Sequence, residues 1–201
     1  MIILDPGHGI NTPGKRSPVW SDGTQLFEWE FNRDVVQRIH SRLTQLCIPS
    51  RITVREAVDI SLYKRFFRIK AIVDEFPDSI GIAVHGNASQ VPGEGKGWEV
   101  WTSDEEKTIP KKIESDRIAT ITYATATAML PNFRMRSDES DGDPDKEGHL
   151  YILRTSPCPF ILTENGFYDY EPDCRFMLSN YGRELIAKMH VFAIETYLSQ
   201  K

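Results

Sequence analysis

Two histidines and a pair of neighbouring glutamates are the residues of this 201-residue chain best placed to do chemistry. His8 lies in Asp5-Pro6-Gly7-His8-Gly9, directly after the apolar run Ile2-Ile3-Leu4. A histidine between two glycines has little to pack against. His85 follows a second apolar run, Ile80 to Val84, and continues into Gly86-Asn87-Ala88. Glu28 and Glu30 flank Trp29 at the start of an apolar repeat. Two neutral imidazoles and one carboxylate suit a catalytic zinc whose fourth position is left to water; the alternative is two histidines that cap strand ends by hydrogen bonding. A step of two residues turns a helix by about 200°, so Glu28 and Glu30 face opposite ways. Phe27 and Phe31 mark the core side, and either carboxylate can flank it.

The elements that must position these groups follow from periodicity. Ile2 to Leu4 reads as a first strand. Phe27, Phe31, Val35, Ile39, Leu43 and Leu46 recur at spacings of three and four, an amphipathic helix over Leu26 to Leu46. Arg51 to Val54 reads as a strand and Leu62 to Phe76 as a helix. Ile80 to Val84 is an unbroken apolar run, as expected of a strand buried on both faces. Trp98 to Trp101, Leu150 to Leu153 and Phe160 to Thr163 read as further strands. Ile109 to Leu130 and Asp173 to Leu198 read as helices.

Strands alternating with helices predict a single α/β domain over residues 1–201, with a mostly parallel, mixed, twisted sheet flanked by helices. Trp98 to Trp101 and Leu150 to Leu153 lack a helix on one side and are the expected antiparallel members. In such sheets ligands bind beyond the carboxyl ends of the strands. His8 and His85 both follow strands, and the helix starting near Leu26 has its N-terminus on the same rim. The active site is expected there.

Composition narrows the class. A net charge of −5 gives no broadly basic surface for nucleic acid, and charged residues at 26 % are ordinary for a globular protein. No apolar run approaches the roughly 20 residues of a membrane-spanning helix. Met1-Ile2-Ile3-Leu4 runs straight into the DPGHG turn, so no secretory leader is expected in these residues. Cys47, Cys158 and Cys174 have no CxxC spacing and read as small packing residues. His40 and His190 fall inside helices and read as solvated or locally satisfied. His149 reads as a structural hydrogen-bonding residue, Arg65 as a salt-bridge residue, and Trp20, Trp98 and Trp101 as packing residues. The acidic stretch Asp138 to Glu147 lacks the EF-hand register and reads as a solvated loop, with weak calcium binding or substrate gating as the alternatives.

Four short motifs add a family. Ile3-Leu4-Asp5-Pro6-Gly7-His8-Gly9 resembles the opening motif of the zinc-dependent N-acetylmuramoyl-L-alanine amidases of the amidase_3 family. Glu28-Trp29-Glu30-Phe31-Asn32 is similar to that family's E-x-x-x-N at a helix start. Ala83-Val84-His85-Gly86-Asn87-Ala88 is similar to its strand ending in histidine, and Leu162-Thr163-Glu164-Asn165-Gly166-Phe167 to its late E-x-G-F. The motifs occur in the family's order and span nearly the whole chain.

The resemblance implies that His8, Glu28 and His85 hold one Zn2+ per chain, choosing Glu28 over Glu30, and that Glu164 is the catalytic carboxylate. It also implies peptidoglycan as substrate, in a cell-wall autolysin or lysin acting in a periplasmic or extracellular setting. The bond cut would join the lactyl group of N-acetylmuramic acid to L-alanine. Asn87, close behind His85, is a candidate for orienting substrate or ligand. Gly7 and Gly9 are expected to permit the backbone angles and close approach that bring the imidazole to the rim. A zinc peptidase, an amidase for another substrate, and a non-catalytic wall-binding module are the competing readings. The four active groups argue against the last.

Overall fold

Alternation along the strands decides the layering. Ile80, Ile82 and Val84 pack into one hydrophobic cluster, whereas Ala83 between them packs into another. Ile2 and Leu4 divide from Ile3 in the same way, and Ile161 from Phe160 and Leu162. Side chains on a strand point to opposite faces in turn, so an unbroken apolar run serves two cores at once. The computed structural model describes residues 1–131 and 133–201.

In chain order the elements are β1 (Ile2–Pro6), α1 (Glu28–Gln45), β2 (Ser50–Ile52), α2 (Leu62–Glu75), β3 (Ile80–Asn87), β4 (Trp98–Ser103), α3 (Pro110–Met129), β5 (Lys146–Gly148), α4 (Tyr151–Thr155), β6 (Phe160–Phe167), α5 (Glu171–Leu178) and α6 (Asn180–Ser199). The six strands form one mixed sheet in the order β2-β1-β3-β6-β4-β5. β1, β2, β3 and β6 are mutually parallel; β4 runs antiparallel to β6, and β5 runs parallel to β4. Helices α1, α3 and α6 cover one face with the larger core, which holds Phe31, Val35, Ile39, Ile118, Ile186 and Ile194. α2 and α4 cover the other through Ile69, Ile72, Ile152 and Leu153. Among the described residues no helix is long and apolar enough to cross a membrane.

Several expectations need correcting. Leu150 to Leu153 is not a strand: Tyr151–Thr155 is the short helix α4, and the strand lies just before it as β5. A four-residue apolar run has too few positions for its period to separate helix from strand. The closing helix is two helices, broken at Ser179, whose extended backbone ends α5 and whose hydroxyl accepts from Gly182 N at 2.9 Å to cap α6. β3 and β6 continue beyond their apolar runs, so His85 and Glu164 lie within strands. Phe27 is not a core residue. It is 38 % exposed, ahead of the buried stripe Phe31, Val35, Ile39 and Leu43. Cys47 is exposed, whereas Cys158 and Cys174 are buried.

His190, on α6, joins that helix to the sheet. It is fully buried; its Nδ1 donates to the Ile186 carbonyl at 2.8 Å, leaving Nε2 to accept from the Thr163 hydroxyl at 2.9 Å. It is satisfied locally but not solvated. Burial pushes the imidazole down from 6.5 to about 4. Between those values the unfolded chain binds a proton that the folded chain does not, so stability is full above pH 6.5 and falls as pH drops toward 4. His190 is expected to contribute a slope of up to about 1.4 kcal/mol per pH unit in that window. Urea unfolding of His190→Gln across it should show a flatter pH dependence; an unchanged slope would place the acid sensitivity elsewhere.

Candidate active site

The register of the sheet brings the singled-out residues to one rim. β3 and β6 pair with His85 opposite Glu164, and antiparallel β4 sets Glu99 opposite Glu164. Directly paired residues point to the same face, so His85, Glu164 and Glu99 form a row across three strands. A register shift between His85 and Asn87 ends the regular ladder there. The DPGHG turn follows β1, beside β3, and the first turn of α1 delivers Glu28 to the same place.

Glu28 is fully buried. Its Oε1 lies 3.4 Å from His8 Nε2 and 3.2 Å from His85 Nδ1, and the two rings meet edge to face with centroids 5.0 Å apart. The same oxygen accepts from Gly86 N at 3.2 Å and from Asn32 Nδ2 at 3.4 Å. Asn32 Nδ2 also reaches the Gly7 carbonyl at 3.2 Å, which gives the Glu28-x-x-x-Asn32 spacing its purpose: one helical turn separates a carboxylate from the amide that steadies it and the histidine turn together. Glu28 Oε2 is buried with no hydrogen-bond partner among the described residues; Lys15 Nζ is 3.8 Å away.

Burial would raise the Glu28 carboxyl, but the hydrogen bond and charge of His85, with the charges of His8 and Lys15, outweigh it and hold the group below its ordinary range. Burial pushes His8 down to about 4, with His85 and Lys15 acting the same way and Glu28 opposing them. At neutral pH the cluster therefore offers an ionised carboxylate and a neutral His8 imidazole, the protonation states a metal requires. One donor atom from each of His8, Glu28 and His85 lies within 4.8 Å of the others. Two zinc bonds of about 2.05 Å at a tetrahedral angle separate their ligand atoms by about 3.3 Å, close to the two Oε1 separations found. With its orphaned carboxylate oxygen, the donor set fits a zinc-type ion.

The backbone has been bent to make this arrangement. The positive φ falls on His8 itself, at 57°, and not on Gly7 or Gly9 as the sequence suggested. A left-handed conformation at a non-glycine residue costs on the order of 1 kcal/mol or more and persists only where the surroundings impose it. Arg65 imposes it. Its guanidinium is almost fully buried and donates to Asp5 Oδ2 and the Pro6 carbonyl, both at 2.7 Å, to Asp59 Oδ1 at 2.8 Å and to the His8 carbonyl at 3.4 Å. The glycines serve close approach instead: a Cβ on Gly7 would stand 2.1 Å from the His85 ring, and one on Gly9 2.0 Å from Asp59 N.

Glu164 is the odd carboxylate of the row. Its Oε2 is buried without a hydrogen-bond partner among the described residues. Burial first, then repulsion from Glu28 and Glu99, pushes its pKa well above the ordinary value, so the group is a stronger base than an ordinary carboxylate. Neighbouring Asn165 reaches back, donating to the His85 carbonyl at 3.0 Å while accepting from Trp98 Nε1 at 2.9 Å.

Two depressions flank the row. One, about 410 Å³, is lined by Gly7, His8, Leu62, Arg65, His85 and Leu150 among others. The second, about 310 Å³, is lined by Asn87, Glu99, Trp101, His149, Leu150 and Glu164 among others. Leu150 belongs to both.

The structure thus brings His8, Glu28 and His85 together and sets Glu164 beside them. Glu30 points away, its carboxylate 3.1 Å from Arg183 Nη1. Asn87 is held in the second depression, donating to Glu99 Oε1 at 2.8 Å. His149 is exposed and bonded to Asp104 Oδ2 at 3.0 Å. Trp98 is a core residue, whereas half-buried Trp101 lines the second depression. Arg65 is the salt-bridge residue the sequence suggested, paired with Asp5 and Asp59; sequence reasoning missed its contact with the His8 turn and the parts played by Asp59 and Asn32. It also missed that the phase of α1 itself selects Glu28, because 28, 31, 35 and 39 continue one buried stripe.

A mixed sheet whose parallel strands bring a histidine–carboxylate cluster and a buried carboxyl to one rim is an α/β domain with a metal-type site at that rim. The chain belongs to the Amidase_3 family, N-acetylmuramoyl-L-alanine amidase, whose family model matches residues 2–196. It is therefore an enzyme of the peptidoglycan amidase class. In fold it is similar to the N-acetylmuramoyl-L-alanine amidase from Clostridium difficile 630, with a TM-score of 0.83 and 21 % identity over 100 % of this chain and 97 % of that one. It is also similar to Ami1 of Mycobacterium smegmatis, with a TM-score of 0.80 and 19 % identity over 100 % and 97 %. AmiC2 of Nostoc punctiforme gives 0.79 and 20 % over 98 % and 96 %. No curated protein matches the chain in sequence.

Gly7→Ala tests the packing of the cluster. The added methyl must displace the His85 ring, so metal retained after dialysis is expected to fall by roughly 10- to 100-fold in affinity, with far-UV circular dichroism unchanged. Full metal content in this variant would show that the ring has room the geometry denies it.

Proposed function

We propose that residues 1–201 act as one catalytic unit that hydrolyses the amide between the lactyl group of N-acetylmuramic acid and L-alanine of the stem peptide. In this reading His8, Glu28 and His85 hold a single zinc ion and Glu164 moves the proton. The observation that carries it is the buried cluster of two imidazoles on one Glu28 oxygen with Glu164 in register beside it, in a chain of this family.

When bound, zinc supplies Lewis acidity that brings the pKa of water to roughly 7 and polarises a carbonyl. Everything else falls to the protein. Glu28, between the two imidazoles, fixes their orientation and provides the negative charge that makes a cation welcome in a buried place. Glu164 accepts the proton of the attacking water and returns it to the departing amine, since an amine anion is a very poor leaving group. Its apolar burial suits it to that exchange, because a carboxyl with a raised pKa holds a proton firmly enough to deliver it near neutral pH. Leu150 and the flanking depressions give the two arms of a branched substrate, glycan and peptide, separate places beside the scissile bond. Asn87, fixed by Glu99, presents a polar group toward one of them.

Purified peptidoglycan is the diagnostic substrate. The protein is expected to release peptide from glycan with new L-alanine amino termini. Glu164→Gln should keep its zinc and lose about 10²- to 10⁴-fold in turnover; loss of zinc instead would make Glu164 a ligand. For the ligands, Glu28→Ala is expected to empty the site in elemental analysis and Glu30→Ala to leave it full. The reverse result would hand the metal to Glu30.

A further inference from the structure

On the far side of β4 from the active-site row, an alternating acidic segment meets helix α3. Asp141-Gly142-Asp143-Pro144-Asp145-Lys146-Glu147 places a carboxylate at every second residue and ends in β5, which pairs with β4 through Trp101–Lys146 and Thr102–Glu147. Donor atoms of Asp116, Asp145 and Glu147 lie within 4.8 Å of one another, and so do those of Asp141, Asp143 and Glu147. Glu147 is common to both groups. We propose that this segment, with Asp116 of α3 at its inner edge, is a second metal site, one that takes a hard divalent cation of the calcium class.

The carboxylates alone would not carry this; Asp145 does. It is fully buried. Its Oδ2 accepts from the Thr102 hydroxyl at 2.6 Å, while its Oδ1 is buried with no hydrogen-bond partner among the described residues. Asp143 Oδ1 is in the same condition. A buried carboxylate oxygen without a donor costs free energy that an ion recovers.

The ammonium groups present do not balance the cluster. Lys112 is fully buried and serves Thr102, Asp116 and Glu147. Lys107 pairs Asp141 at 2.6 Å and Asp143 at 2.7 Å from a side chain 42 % exposed, so it can swing into solvent when a cation arrives. Burial and the neighbouring Asp143 push Asp145 up to about 8, so without a cation the cluster keeps a proton there, and the other four carboxylates still outnumber the two ammoniums.

Donor chemistry selects the ion. Every donor in the two groups is a carboxylate oxygen, which suits calcium or magnesium and not the nitrogen- and sulfur-seeking metals. The donor oxygens of each group stand within 4.8 Å of one another, close enough to share one cation, and calcium's flexible shell of six to eight oxygens suits an irregular carboxylate cluster better than the strict octahedron of magnesium. The site also has a mechanical consequence. The bound segment leads through β5 directly to Leu150, which lines both depressions of the active site, so a cation would brace one wall of the cleft.

The test is calorimetric titration of calcium chloride into zinc-loaded protein, with magnesium chloride in parallel. Calcium is expected to bind saturably in the micromolar-to-millimolar range and more tightly than magnesium. Asp145→Asn should weaken calcium by at least roughly tenfold with zinc content unchanged. Asp143→Asn, on the loop before β5 and 18 % exposed where Asp145 is fully buried, should weaken it in the same direction. No saturable calcium heat up to about 10 mM, or equal affinity in both variants, would overturn the proposal and leave Lys112, Lys107 and protons as the counter-charges.

Discussion

The constraint on which the rest depends is a carboxylate with no water around it. Glu28 is fully buried, and an ionised group in that position survives only if cations or donors surround it. The fold meets this from four directions. His8 and His85 approach one oxygen, Gly86 and Asn32 donate to it, and Lys15 stands near the other. Each comes from a different stretch of chain: the turn after β1, the interior of β3, the body of α1 and the loop before it. A buried charge of this kind ties those stretches into one unit, because moving any of them strands the carboxylate.

A second layer of ionic contacts keeps the first in shape. Arg65, from α2, binds Asp5, Asp59 and the carbonyls of Pro6 and His8, and so holds a histidine in a left-handed conformation it would not choose. On the opposite side, Trp98 and Asn165 anchor the His85 carbonyl. These contacts cost the surrounding fold desolvation and strain, a pattern expected where geometry is used for chemistry. The same logic separates the two carboxylates of α1. Glu28 faces the rim and Glu30 faces Arg183, about half a turn of phase apart.

Much of this was legible from the residues. The two-sided burial of Ile80 to Val84, the helix through Val35 and Ile39, and the antiparallel course of Trp98 to Trp101 follow from periodicity and from connection length. His8 and His85 were legible as rim residues because each trails an apolar run. Short segments were not. Leu150 to Leu153 folds as the start of a helix because Ile152 and Leu153 bury against α2 and β6, a contact no local pattern announces. The break at Ser179 was equally hidden, since the apolar repeat continues across it. Phe27 is the exception on α1: an aromatic residue beside the helix start suggests the core side, and the structure exposes it.

The sequence by itself determined the alternation of strand and helix, the sheet class, and the histidine and glutamate types that make metal chemistry possible, because these depend on residues near one another along the chain. Tertiary structure alone decided which donors share one oxygen, that Arg65 bends the His8 turn, that Glu164 lies directly across from His85, and that Asp145 keeps an oxygen without a donor. Those are distances between residues up to 80 positions apart, as with Asn165 and His85, and only the register of the sheet and the packing of helices on it set them.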